Sequence, residues 1–151
     1  MSDEACPLPR LARDEERAII ERLLRAQRIA VVGLSDDPSR PSHGVARYLM
    51  DVGKQIIPVN PNHAEVLGLK CYARLEDVPG AIDLVDVFRR SQYCAGVVRS
   101  AVEAGARGVW LQSGIRNPEA RQLALAAGID YVEDRCLMVE HRRLRGQGLL
   151  G

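Results

Sequence analysis

Short apolar runs alternate along most of this chain with stretches whose apolar positions fall three or four residues apart. The first run, in "RIAVVG", is β-branched from Ile29 to Val32 and stops at Gly33, as a strand buried on both faces would. "HGVARYLMDVG" follows with Val45, Leu49 and Val52 on one stripe and Gly53 at its end, which predicts an amphipathic helix closed by glycine. The next strand is "QIIPVN", where Pro58 removes a backbone donor and so points to a sheet edge or a strand end. "IDLVDVF" is another buried strand, and "SQYCAGVVRSAVEAG" a helix that Ser91 would cap and Gly105 would stop. "GVWLQSG" is a strand that takes Trp110 into the core. "NPEARQLALAAG" is a helix with Asn117 at its N-cap and Pro118 at its first position, and "IDYVED" is a last strand.

Three segments are less regular. Ahead of the first strand, "RDEERAIIERLLRAQ" spaces Ile19, Ile20, Leu23 and Leu24 as the apolar face of an entry helix, with Asp14 available as its cap. Residues 62–81 hold a short strand near "LKCYA" and a short helical stretch at "LEDVPG". The closing "EHRRLRGQGLLG" is basic and rich in glycine, and is expected to fray. Strands alternating with helices predict an α/β fold of three layers, a mostly parallel sheet of five or six strands with helices on both faces. The expected organisation is a helical segment over residues 1–28, one domain over 29–144 and a flexible tail over 145–151.

Composition narrows the function classes. A chain of 151 residues is of single-domain length, and 46% apolar with 27% charged residues suits a packed core. With 21 basic against 20 acidic side chains, the net charge of +1 predicts no general attraction to nucleic acid or membrane, so any anion site must be local. The apolar runs are too short to span a bilayer, and "MSDEACPLPR" lacks the order of a secretory signal, which makes a cytoplasmic location the expectation. Cys6, Cys71, Cys94 and Cys136 are far apart with no C-x-x-C pair, and are expected as free thiols.

In open parallel sheets, ligands bind beyond the carboxyl ends of the strands, where strand order reverses. Those ends are Gly33 to Ser35, Asn60 with Pro61, Phe88 with Arg89, and Gln112 with Ser113. Gly33 lets backbone approach a ligand, Ser35 offers a hydroxyl, and a helix beginning near Ser42 or His43 directs N–H groups and its positive dipole end to the same place. Arg40 and Arg47 add positive charge. A phosphate group suits such a turn. A nicotinamide or flavin dinucleotide would need G-x-G-x-x-G and an acidic residue after the second strand; here a long stretch with Pro38 and Pro41 separates Gly33 from Gly44, and "NPN" stands where the acid would be. No G-K-[ST] occurs either, so the turn suits a different adenine nucleotide. Asp83 and Asp86, three apart in one strand, face opposite sides and make no catalytic pair.

"VVGLSDDPSRPSHGVARYL", "IIPVNP", "LGLKCYARLEDVP", "IDLVDVFR", "VWLQSGIRNPEA" and "DRCLMVEH", in this order from about Ile29 to about Leu144, resemble the small CoA-binding protein family. That family is itself similar to the N-terminal CoA-binding domain of the succinyl-CoA synthetase α subunit. The resemblance implies a Rossmann-like, nucleotide-binding domain holding coenzyme A or an acyl-CoA across the strand ends. Carried over by residue, it implies that Gly33, Leu34 and Ser35, with Arg40, Pro41 and Ser42, hold phosphates. Val59, Asn60 and Pro61 would border the adenosine, Phe88 and Arg89 would line the wall, and Gln112 would join them.

In the synthetase, a phosphorylated histidine in a later domain carries the chemistry, and this chain ends before any such domain. The resemblance therefore implies binding without catalysis, with no catalytic residue and no metal assigned. His43 lies at the expected site but reads as a capping or hydrogen-bonding residue; His63 and His141 show no partner in the sequence. Two alternatives stay open. One is a small thiol, redox or nucleotide-dependent enzyme using Cys136 in "EDRCLM"; the other is a synthetase-like subunit that needs a partner chain. A homo-oligomer is likewise open.

Overall fold

The structure is a computed structural model that describes residues 10–150; residues 1–9, with Cys6 and the beginning of the expected 1–28 segment, and Gly151 lie outside the described part. Helix α1 (Arg10–Leu24) leads into β1 (Arg28–Val32), α2 (Pro41–Asp51) and β2 (Gln55–Val59). A small hairpin follows, β3 (Glu65–Val66) with β4 (Leu69–Lys70). Then come β5 (Leu84–Val87), α3 (Cys94–Glu103), β6 (Gly108–Leu111), α4 (Pro118–Ala127), β7 (Asp130–Val132) and α5 (Leu137–Gly146). The main sheet has five strands in the order β2-β1-β5-β6-β7, all parallel. This is the α/β three-layer arrangement expected of a Rossmann-like fold.

The strands read as continuous apolar runs because both faces are covered. Within β1, Ile29 and Val31 enter one core with Leu23 and Leu24 of α1, Val45 and Leu49 of α2, and Leu137 and Leu144 of α5. Ala30 and Val32 enter the other core with Val98 and Ala101 of α3 and Ala120 and Ala124 of α4. Trp110 is fully buried, and its indole N–H donates to the Arg135 carbonyl at 2.8 Å. Pro58 sits on the edge strand β2. Its carbonyl accepts from the Tyr72 N–H at 3.0 Å on the side away from β1, so its missing donor takes nothing from the parallel ladder.

Local capping chemistry holds at α4. The Asn117 side chain accepts from the Ala120 N–H at 2.9 Å, Pro118 opens the helix, and Gly128 closes it at φ +73°. Elsewhere tertiary structure changes the local expectation. Asp14 lies inside α1, which has begun by Arg10. Ser91 opens a 3-10 turn (Ser91–Tyr93) rather than capping α3, and its carbonyl takes the Asn117 amide at 2.6 Å. The segment expected to fray forms most of α5, because Leu144 and His141 pack inward. The His141 Nδ1 is 2.9 Å from the Tyr48 hydroxyl of α2, a partner invisible in the sequence. The strand expected near "LKCYA" is confined to the separate hairpin and one bridge from Tyr72 to Val59.

Candidate functional site

Strand order reverses between β1 and β5, so the chain leaves these two neighbours in opposite directions and a crevice opens above their carboxyl ends. At its floor Gly33 adopts φ +84°, and a Cβ there would stand 2.5 Å from the Phe88 carbonyl oxygen. Glycine is thus required both by the left-handed backbone and by the close approach of the β5 end. The Gly33 N–H donates to the Val59 carbonyl at 2.9 Å, which ties the turn to the third strand end.

Past this turn the loop organises itself. The Ser35 N–H donates to the Ser42 Oγ at 3.0 Å, the Asp37 N–H to the Ser35 Oγ at 3.0 Å, and Asp37 accepts from both the N–H and the hydroxyl of Ser39. Two of the groups expected to meet a phosphate, the Ser35 N–H and the Ser35 hydroxyl oxygen, therefore hold the loop in shape. Helix α2 begins at Pro41 with no side chain capping its N-terminus. Pro41 has no N–H, the Arg40 N–H donates to the Asp37 carbonyl at 3.0 Å and the His43 N–H to the Arg40 carbonyl at 3.1 Å, so α2 presents the Ser42 N–H and its positive dipole end at the crevice.

The crevice has a volume of about 660 Å³ and brings together Gly33, Ser35, Arg40, Pro41 and Ser42 with Phe88, Arg89 and Gln112. Its remaining wall comes from Val45, Arg90, Ser113, Ile115 and Cys136. Among the described residues three arginines and no carboxylate line it, which favours an anion although the chain is nearly neutral. Val45, Phe88 and Ile115 supply apolar surface. The loop carrying Ser113 and Ile115 is braced from behind by Asp134, which accepts from the Gly114 N–H at 2.7 Å and from Arg116 at 2.8 Å. The Gly114 N–H, then Arg116, holds the Asp134 carboxyl below its usual range.

Not every expected residue faces this space. Leu34 is fully buried, and its carbonyl accepts from the Asn60 Nδ2 at 3.1 Å. Asn60 also accepts from the Asn62 N–H at 2.9 Å, so its amide joins the first two strand ends from within. Pro61 is exposed and lines neither crevice. Val59 lines a second crevice of about 320 Å³ on the opposite face of the sheet, with Val32, Leu75, Arg74 and Tyr93. Arg89 borders both spaces, its guanidinium 4.7 Å from the centre of the Tyr93 ring.

Comparison with known proteins decides what family this geometry serves. The profile described as "CoA binding domain" matches residues 27–142. The chain belongs to that CoA-binding domain family. An uncharacterized protein of Bacillus subtilis, YneT, is 46% identical over 123 residues, which cover 82% of this chain and 91% of that one. A hypothetical protein from Pyrococcus horikoshii superimposes with a TM-score of 0.82 at 41% identity, over 87% of this chain and 92% of the other. The α subunit of an ADP-forming acetate–CoA ligase from Pyrococcus furiosus is 33% identical over 82 residues, 54% of this chain but only 17% of the ligase subunit. This CoA-binding domain is thus homologous to a small part of a much longer ligase subunit.

The cysteines differ in access. Cys71 and Cys94 are buried, and burial pushes both thiols up, whereas Cys136 lines the main crevice at the position preceding α5. Among the described residues no cluster of His, Cys, Asp or Glu could hold a metal ion, and no helix is long and apolar enough to cross a membrane.

Proposed function

We propose that this chain binds coenzyme A or an acyl-CoA in the crevice at the β1/β5 switch point, without catalysing a reaction of its own. The observation that carries the reading is the meeting of the α2 N-terminus with three arginines and, among the described residues, no carboxylate, beside an apolar wall. A diphosphate fits the first part and a pantetheine arm the second. The chain's own groups would act by position. The free end of α2 would take the diphosphate and the Gly33 turn would let it approach. Arg40 would offer a bidentate fork to the ribose phosphate, and Val59, near Asn60 and Pro61, would border the adenosine. Arg89, at the boundary of both crevices, suits a ligand whose two ends lie on opposite faces of the sheet.

Isothermal titration with CoA and dephospho-CoA tests this. We expect saturable binding of CoA, weaker binding of dephospho-CoA, and an Arg40→Ala variant that loses about tenfold in CoA affinity while narrowing the difference between the two ligands. Absence of heat with either ligand would reject the reading. The match to a ligase subunit supports a second reading, in which the loaded domain serves a partner chain. Capture of a ligase-type chain that turns over CoA only in the presence of this one would favour it.

A further inference from the structure

Beneath the crevice, the centre of the sheet holds a carboxyl group. Asp86 is fully buried in β5, in register with Val31 of β1 and Trp110 of β6, neither of which offers its side chain a hydrogen bond. Gln112, 5% exposed and lining the crevice, donates from Nε2 to the Asp86 Oδ1 at 2.6 Å. The Asp86 Oδ2 is buried without a partner, the one such side-chain atom among the described residues.

Ionised, above the value of about 7 to which burial raises it, the Asp86 carboxyl only accepts hydrogen bonds, so it holds the Gln112 amide by its NH₂ end alone. The amide carbonyl must then turn the other way. Among the described residues no donor reaches that Oε1, and it is not among the buried unpartnered atoms, so it opens on the crevice. An acceptor fixed there, backed by a carboxylate, repels phosphate oxygens and welcomes an N–H. The secondary amides of a pantetheine arm carry such donors; an adenine nucleotide that ended in further phosphates would not. Arg40 and the start of α2 lie on the β1 side of the crevice, and Gln112 lies at the end of β6, on the other side of β5.

We propose that Asp86 is a positioning residue that locks the Gln112 carbonyl toward the crevice, where it accepts an amide N–H of the pantetheine arm and so sets both the direction of the cofactor and the preference for CoA over simple nucleotides. This inference rests on the coenzyme A reading above. The test compares CoA with adenosine 3′,5′-bisphosphate, which lacks the arm, at about pH 8.5, above the value near 7 to which burial raises the Asp86 carboxyl. Gln112→Met should weaken CoA binding about tenfold and leave the bisphosphate unchanged. Asp86→Asn lets the amide reverse and should weaken CoA binding several-fold, again sparing the bisphosphate. In the Gln112→Met background, Asp86→Asn should add nothing, because Asp86 acts only through Gln112. Unchanged CoA affinity in Gln112→Met would overturn the proposal. So would an Asp86→Asn effect that is equal with and without Gln112, which would mark Asp86 as structural. A folded wild type that binds neither ligand would instead remove the CoA reading itself.

Discussion

Asp86 has its strongest consequence for stability against pH. Burial raises its carboxyl from the ordinary 3.8 to about 7, and the single bond from Gln112 only partly opposes this. The folded chain therefore keeps a proton that the unfolded chain releases, and stability from this group is full below about pH 4 and is lost as pH rises to about 7, by on the order of a few kcal/mol. His141 acts in the opposite sense. Burial first, then Lys54 and Arg145, lowers its value from 6.5, so stability falls as the unfolded imidazole gains a proton below that pH. Asp86→Asn should abolish the alkaline loss, make the protein more stable above pH 7 than the wild type, and leave the acid-side decline of His141. Urea denaturation across about pH 4 to 8 would show this; parallel profiles for the two proteins would contradict it. Trp110, the only tryptophan, lies in register with Asp86 and gives the same titration an optical readout.

Elements were legible where neighbouring residues alone decide them and obscure where a distant surface does. Asn117, Pro118 and Gly128 mark α4 by local hydrogen bonds and backbone conformation, and Pro58 marks the sheet edge by a donor it lacks. Helix α5 has no such punctuation: its sequence is arginine-rich, and it forms because Leu137, His141 and Leu144 meet α1, α2 and the sheet. Ser91 has the residue type of a cap, yet it opens a 3-10 turn and α3 begins only at Cys94, with Tyr93 at its N-cap. Packing of α5 should accordingly be worth more than its propensity. Leu144, 5% exposed, is the residue to test: Leu144→Ala should cost about 2–4 kcal/mol and lower the thermal midpoint by several degrees. A change below about 0.5 kcal/mol would mean that the segment does fray, as its composition suggests.

At the scale of the whole molecule, the parallel sheet and its reversal point place the candidate site, and these follow from the order of strands and helices along the chain. Within the site, Gly33, Arg40, Ser42, Phe88 and Arg89 could be picked out because they sit at strand ends or at the helix start. Ile115 could not, because it reaches the crevice through a loop whose return path is set by the contacts of Asp134 with Gly114 and Arg116, whereas Cys136, open as a candidate thiol, does line the crevice. Leu34 and Asn60 belong to the same sequence motifs but face inward, where they hold the strand ends together. Arg89 borders both crevices, one on each face of the sheet. A crystal structure of the protein with CoA tests this account most directly. It should show the diphosphate at the N-terminus of α2 over Gly33, the pantetheine amide facing the Gln112 carbonyl, and the adenosine on the Val59 side of Arg89. A crevice left empty at saturating CoA, or a cofactor bound away from the β1/β5 junction, would contradict it.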